Sequence, residues 1–142
     1  MIDIENIVFN NVATALRNKY GQKNISVYGD YVETPTSFPC VCLYEEDNYT
    51  YAKTQDENQE NDIVSVFTLY VYCNKADGKK SQAKEITDLV DEEMNKMLYT
   101  RTFRNQIPNT DRTIYRIAAR YRAVVHKGVE VGNNTVYHIY RN

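Results

Sequence analysis

Three cysteines and two histidines are the side chains of this sequence that could bind a metal or attack a substrate. Cys40 and Cys42 are separated by one residue, Cys73 lies further along the chain, and the histidines are His126 and His138. Structural zinc sites normally place two to four residues between paired cysteines, on a turn. A cysteine nucleophile would need an activated thiol and a positioned imidazole, which nothing nearby indicates. We therefore expect reduced cysteines packed in a sheet, with no metal and no cofactor.

Carboxylates and glycines give no stronger indication of catalysis. The segment 81–99 carries Glu85, Asp88, Asp91, Glu92 and Glu93. They are interleaved with lysines at helical spacing, which is typical of a solvated or partner-facing helix surface rather than of an acid–base pair. The five glycines are scattered singly at turns, so the sequence has no glycine-rich phosphate loop. We predict that the protein is not an enzyme.

Four arginines form the charge pattern that stands out from this background. After a turn signal at 108–111, the stretch 107–127 alternates with period 2, and one of its faces carries Arg112, Arg116, Arg120 and Arg122. This face could be solvated, or it could bind a nucleic acid. Sheet-type RNA binders place aromatic and basic side chains on one face, whereas alternation within this strand puts Tyr115 and Tyr121 opposite the arginines.

Docking to an acidic surface is the third interpretation of the arginine face. The acidic helix supplies such a surface, so the arginines of one copy could pair with carboxylates of the next. The strand would be on the order of 50 Å long at roughly 3.3 Å per residue, against a usual strand of about 5–6 residues. Either its ends bend away or another chain completes the sheet.

Hydrophobic periodicity predicts the elements that must position these side chains. Helices are expected at 3–20, with Asp3 as N-cap and Gly21 at the end, and at 81–99. Strands are expected at 25–28, 40–51, 63–73, 112–127 and 135–141. Residues 53–62 contain no apolar side chain and read as a solvated loop or mobile hairpin tip, and 100–109 reads as a connection. The order α-β-β-β-α-β-β indicates an α+β fold in a single domain, 1–142: one antiparallel-dominated β-sheet with two covering helices.

Composition limits the classes of partner. A net charge of −2 over 142 residues gives no global field for nucleic acid or an acidic membrane. Tyrosine is abundant, with 13 Tyr against 4 Phe and no Trp, which suits sheet surfaces and protein interfaces. No apolar run approaches the roughly 20 residues of a membrane span. The start MIDIENIVFNN lacks the features of a secretory signal and the cysteine count is odd, so we expect a protein made in the cytoplasm.

Several short segments, which extend over nearly the whole chain, together resemble those of a known protein family in their order and spacing. They are Pro35-Thr36-Ser37, Phe38-Pro39-Cys40-Val41-Cys42-Leu43-Tyr44, the polar tip 53–62, Leu69-Tyr70-Val71-Tyr72, a helix with Ile86, Leu89, Val90 and Met94, and Pro108-Asn109 leading to Ile114-Tyr115-Arg116 and Arg120-Tyr121. In order and spacing the chain resembles the tail terminator (tail completion) proteins of long-tailed bacteriophages and the related head–tail joining proteins.

This resemblance implies a non-enzymatic virion part at the head–tail interface, assembled in the host cytoplasm. Such proteins form a ring, often hexameric, that caps the tail tube, stops its polymerisation and joins it to the head connector. The implied partners are further copies of the chain, the major tail tube protein and the connector or neck protein, with no membrane and no sequence-specific nucleic acid. A head-completion or neck protein is the alternative within this class.

Two alternatives belong to other classes. One is a sheet-based nucleic-acid-binding module that uses the Arg112–Arg122 strand face, whose affinity would fall steeply with salt. The other is a cysteine enzyme, which would need a solvent-reactive thiol. For the leading hypothesis, a terminator needs complementary polar surfaces and extended strands. The residues predicted to form its intersubunit or tube interface are Arg112, Arg116, Arg120, Arg122, Tyr49, Tyr51, Lys53, Glu85, Asp88 and Glu92.

Overall fold

The fold consists of two helices and a six-stranded sheet. It is seen in a computed structural model that describes residues 2–51, 62–131 and 134–140, without the side chains of 128–136. In chain order the elements are α1 (Glu5–Tyr20), β1 (Ser26–Tyr28), β2 (Cys40–Thr50), β3 (Asp62–Cys73), α2 (Lys79–Lys96), β4 (Thr100–Gln106), β5 (Tyr115–Val131) and β6 (Asn134–Tyr140).

The strands are arranged in the order β1-β2-β3-β5-β4, and β6 also pairs with β5. The β1–β2 pair is parallel and the other four pairings are antiparallel. The predicted α+β class, with an antiparallel-dominated sheet and two helices, is therefore confirmed. β3 pairs with one edge of β5, while β4 and β6 pair with successive parts of the other edge. The long strand thus pairs with β3 from Tyr115 to His126, and in the described residues its last part, 127–131, pairs only with β6.

The segment 100–109, predicted to be a connection, is mostly the strand β4. Its sequence TRTFRNQ lacks apolar alternation, and most of its residues are exposed or half-buried. Local pattern therefore gave no signal for a strand. β4 forms because its backbone pairs with β5 and its arginines pair with α2.

The predicted helix ends are partly correct. α1 ends as predicted at Gly21, which has φ of 92° and donates its backbone N–H to the Arg17 carbonyl at 2.8 Å. Its N-cap is Ile4 rather than Asp3, although an Asp3 carboxylate oxygen accepts the Glu5 N–H at 3.2 Å. α2 begins two residues earlier than predicted. The predicted loop at 53–62 lies, except for Asp62, outside the described residues.

Both helices pack against one face of the sheet, called here the helix face. Its buried side chains include Val41, Leu43, Phe67, Leu69, Ile117, Tyr121 and Val125, which contact Val12, Leu16, Ile86 and Val90 of the helices within one core. Because strand side chains alternate, the intervening residues lie on the opposite face. None of the helices in the described part of the chain is long and apolar enough to cross a membrane.

The opposite face is called here the open face. Its residues include Cys40, Cys42, Tyr44, Thr68, Tyr70, Tyr72, Arg116, Ala118 and Arg120. At one end the segment 29–39 covers it, and Val32 and Phe38 pack there against Cys40, Cys42 and Tyr72. The rest of this face has no helix packed on it among the described residues.

Candidate assembly interface

Arg116 lies on the open face beside two tyrosines of the neighbouring strand. Its guanidinium carbon is 4.5 Å from the centroid of the Tyr70 ring and 5.2 Å from that of Tyr72. The β3–β5 register places Tyr72 opposite Arg116, and Tyr31 packs edge-on against Tyr70 at 5.5 Å between ring centroids. Aromatic and basic side chains therefore do share this face. Tyr115 and Tyr121 do lie on the helix face, opposite the arginines, as alternation predicts, but the neighbouring strand brings Tyr70 and Tyr72 to the arginine face.

Arg120 is paired within the chain. Its Nε lies 3.0 Å from an oxygen of Glu46, and both side chains are largely solvated, with exposed fractions of 49% and 39%. Glu46 is the extra residue of a β-bulge between Glu45 and Asp47. Alternation from Tyr44 places this carboxylate on the open face, the side where Arg120 lies, and the bulge changes the facing only of the residues after it. The pair covers part of the open face without closing it to solvent.

The other two predicted arginines differ in position. Arg122 is half-buried on β5. Arg112 does not belong to the strand, because β5 begins at Tyr115. It is exposed in the preceding turn, where its backbone carbonyl accepts a hydrogen bond from the Lys79 ammonium at 2.9 Å. The predicted stripe is thus three strand residues and one turn residue.

The predicted acidic residues lie on α2, across the sheet from the arginines. Glu85 accepts the Tyr20 hydroxyl at 2.8 Å, and Asp88 is 2.7 Å from an Arg104 nitrogen. The third residue, Glu92, is 3.8 Å from the Lys96 ammonium. Their side chains remain 57%, 67% and 64% exposed. One chain therefore carries the two predicted complementary surfaces on opposite sides.

Sequence reasoning missed an ionic cluster that joins α2 to β4 and β5, called here the Asp91 cluster. Asp91 lies 2.6 Å from an Arg101 nitrogen and 3.1 Å from an Arg104 nitrogen, and it also accepts the Tyr121 hydroxyl. Burial and this bond to Asp91 raise the pKa of Tyr121, so the phenol stays protonated and donates. Arg101 and Arg104 share a face because a bulge separates them, which strict alternation does not predict.

The predicted tyrosines at the end of β2 lie next to undescribed residues. Tyr49 is 44% exposed, and the Tyr51 N–H donates to the Asp62 carbonyl at 2.9 Å, which joins the ends of β2 and β3. Lys53 is outside the described residues. This corner of the sheet therefore contributes one exposed aromatic ring to a candidate interface.

The cysteines and histidines are far apart. All three cysteines are free and fully buried, and burial raises the pKa of the Cys73 thiol to about 12. Cys40 and Cys42 lie near Arg116, at one end of β5. His126 is ten positions further along this strand, so about 30 Å separates it from the two cysteines. His126 Nδ1 is instead 2.5 Å from an Asp62 oxygen. Across the described ranges, no three His, Cys, Asp or Glu side chains form a potential metal site.

Comparison with known protein families and with curated proteins gives no match. The chain does align with a sheath/tube terminator. This solved structure is described as the "PVC sheath/tube terminator in extended state" of an extracellular contractile injection system, and the alignment has a TM-score of 0.38 and 11% identity. It covers 92% of this chain and 62% of that chain. Its description names a terminator, the class of protein that the sequence resembles.

Proposed function

We propose that this protein is a structural assembly component that caps a tail tube as an oligomeric ring and joins it to the head connector. The observation that carries the proposal is the composition of the open face. This face presents tyrosine and arginine, with half-buried Tyr70 and Arg116 next to the segment 29–39 and exposed Arg120 beyond it. These residue types are enriched in protein interfaces and at their energetic hot spots. The proposed location is the head–tail interface of a virion assembled in the host cytoplasm.

The placement of charges favours a ring over a two-fold dimer. Arginines lie on the open face and the exposed acids Glu85, Asp88 and Glu92 lie on α2 behind the helix face. Two copies that pair these surfaces use different patches, which is a heterologous contact. Heterologous contacts close into rings or extend as filaments. In the proposed ring, the arginines of one copy contact the acidic helix of the next, and Tyr49, Tyr51 and Lys53 contact the tube.

The proposal is tested by a capping assay with the cognate major tail tube protein. We expect purified protein to stop tube growth and to be visible by electron microscopy as a ring on one tube end. Native mass spectra over a concentration series show whether the ring exists without tubes. A ring that closes only on a tube end leaves the free protein monomeric, so the assay with tubes decides. Tubes that grow at an unchanged rate, with bare ends, would refute capping.

A charge swap separates an interface role of the open face from a folding role. Arg120→Glu alone places two negative charges together, so it disturbs the fold as well as the surface. Combining Arg120→Glu with Glu46→Arg restores the pair inside the chain but changes what a partner meets. We expect the swapped protein to fold and to lose capping. Lys23→Glu, at an exposed turn after α1, is the matched control. Capping retained by the swap and by Arg116→Glu would show that the interface is elsewhere.

Binding of single-stranded nucleic acid is the second candidate function. It is favoured by one observation, the clustering of Tyr31 and Tyr70 with Arg116, because stacked bases need rings and cations on one surface. Titration with an oligonucleotide at two salt concentrations tests it. Affinity that falls steeply with salt and is lost in Arg116→Gln would support this function, whereas indifference to the oligonucleotide would exclude it.

A further inference from the structure

A cavity of about 430 Å³ opens at the covered end of the open face. The segment 29–39 forms one wall with Tyr31, Pro35 and Phe38, and the turn before β5 forms the other with Asn109 and Ile114. Arg116 lines the same space. The volume lies within the range of small-molecule sites, which are typically apolar cavities with a few positioned polar groups.

Arg116 supplies the positioned polar group of this cavity. The rings of Tyr70 and Tyr72 hold its guanidinium, and its Nε is buried with no hydrogen-bond acceptor among the described residues. Two acids, Glu33 and Asp111, also line the cavity, yet neither forms an ion pair with Arg116 among the described residues. The Asp111 carboxylate is occupied by the Thr113 backbone N–H at 2.9 Å and the Thr113 hydroxyl at 2.7 Å. A guanidinium held in this way presents planar donors that match a carboxylate.

The charge of the lining restricts the ligand further. One arginine faces a cavity that two carboxylates also line, so the lining favours an anion only close to Arg116, and an anionic group that is compact enough to lie against the guanidinium fits best. Tyr31, Pro35, Phe38 and Ile114 form an apolar part of an otherwise polar lining, which gives an apolar body a place next to the charged group. We propose that this cavity binds a carboxylate carried on an aromatic body, with Arg116 as the partner of the carboxylate. The proposal does not depend on ring assembly.

Titration followed by NMR tests the site, with the Nε–H resonance of Arg116 as the reporter. Phenylacetate represents a free aromatic acid, and N-acetyl-phenylalanine represents the carboxyl end of a peptide. We expect the Arg116 resonance to shift saturably with at least one of them, with a Kd on the order of 1 mM, as is usual for a fragment of this size. The tighter of the two probes identifies the source of the carboxylate. Phenylacetamide and N-acetyl-phenylalaninamide, which lack the charge, should bind about tenfold more weakly.

Variants distinguish a carboxylate site from a cavity that admits any ring. Arg116→Gln should weaken the carboxylates about tenfold and leave the neutral amides unchanged, which also shows that the cavity is intact. Arg116→Lys should bind the carboxylates with an affinity between those of the wild type and Arg116→Gln, because it keeps the charge and loses the planar arrangement of donors. Arg112→Gln, an exposed arginine in the adjoining turn, should bind as the wild type does. The proposal fails if the acids and amides bind wild type equally, if neither acid shifts the Arg116 resonance, or if inorganic phosphate binds more tightly.

Discussion

Arginines on the two sides of the sheet have different surroundings. Toward α2, Arg101 and Arg104 contact Asp91, and Arg104 also contacts Asp88. On the open face, Arg116 has tyrosine rings around it and, among the described residues, forms no ion pair with a carboxylate. A charge that is already paired within the chain gains less from an outside group. The charges around Asp91 therefore stabilise the fold, whereas Arg116 is available to a ligand or partner.

Burial strengthens this contrast. The Arg104 and Asp91 side chains are 21% and 22% exposed, so their attraction is screened less than that of a surface pair. The Arg120 and Glu46 side chains are 49% and 39% exposed, so this pair resembles an ordinary surface ion pair. Removing charges from the Asp91 cluster should therefore affect folding, and removing charges from the open face should mainly affect binding.

The largest effect is expected from Asp91→Ala. It removes the acceptor shared by Arg101, Arg104 and the Tyr121 hydroxyl, and Tyr121 is only 1% exposed. We expect the free energy of unfolding to fall by about 3 kcal/mol, as when one partner of a largely buried ionic group is removed. Urea denaturation at neutral pH measures it. The neighbouring Glu92→Ala is the control, because Glu92 is 64% exposed and should change stability by at most about 0.5 kcal/mol. Equal effects of the two substitutions would contradict a structural role for the cluster.

A smaller effect on stability is expected at Glu45, on the same side of the sheet, where a negative charge has no ion-pair partner among the described residues. Its carboxylate accepts the Ser65 hydroxyl at 2.7 Å and an Asn48 amide N–H at 3.0 Å, with no cation among the ion pairs of the described residues. Burial raises its pKa, and the nearby Glu5 and Asp3 add to the increase, against the lowering by Ser65 and Asn48. Because the folded pKa is above the unfolded value, the folded state favours the protonated form. This contribution to stability is lost as pH rises through the folded pKa.

We therefore expect Glu45→Gln to be more stable than wild type at pH 7, by about 1 kcal/mol. The difference should shrink as pH falls and wild-type Glu45 becomes protonated. Urea denaturation from pH 7 down to pH 4 measures both proteins, with Glu33→Gln as a control at an exposed site in the segment 29–39. A variant that is less stable than wild type at pH 7 would mean that the two hydrogen bonds outweigh the cost of burying the charge.

The sequence predicts the parts of this molecule that depend on local pattern. β3 and β5 alternate or are continuously apolar, and both helices have an apolar stripe, so their positions follow from the residues themselves. β4 could not be predicted in this way. Its pairing partner is β5 and its arginines bind α2, so the interactions that form it are tertiary.

The candidate site was predicted in composition but not in arrangement. Single-strand alternation identifies Arg116 and Arg120 on one face, but the rings beside Arg116 come from β3 through a register that no local pattern contains. A bulge matters in the same way, since the extra residue between Arg101 and Phe103 in β4 puts Arg101 and Arg104 on one face, which strict alternation excludes. Each of these features results from strand pairing.

The smallest effect on stability is expected from the Arg120–Glu46 pair. A double-mutant cycle of Arg120→Ala and Glu46→Ala should give a coupling of about 0.5 kcal/mol in the free energy of unfolding, because both side chains are well solvated. The coupling should decrease when salt is raised. A coupling above about 2 kcal/mol would place this pair with the Asp91 cluster as a structural element. The expected small value would mean that the fold does not need the pair, so a loss of capping in the charge-swapped protein would be attributable to the surface that a partner contacts.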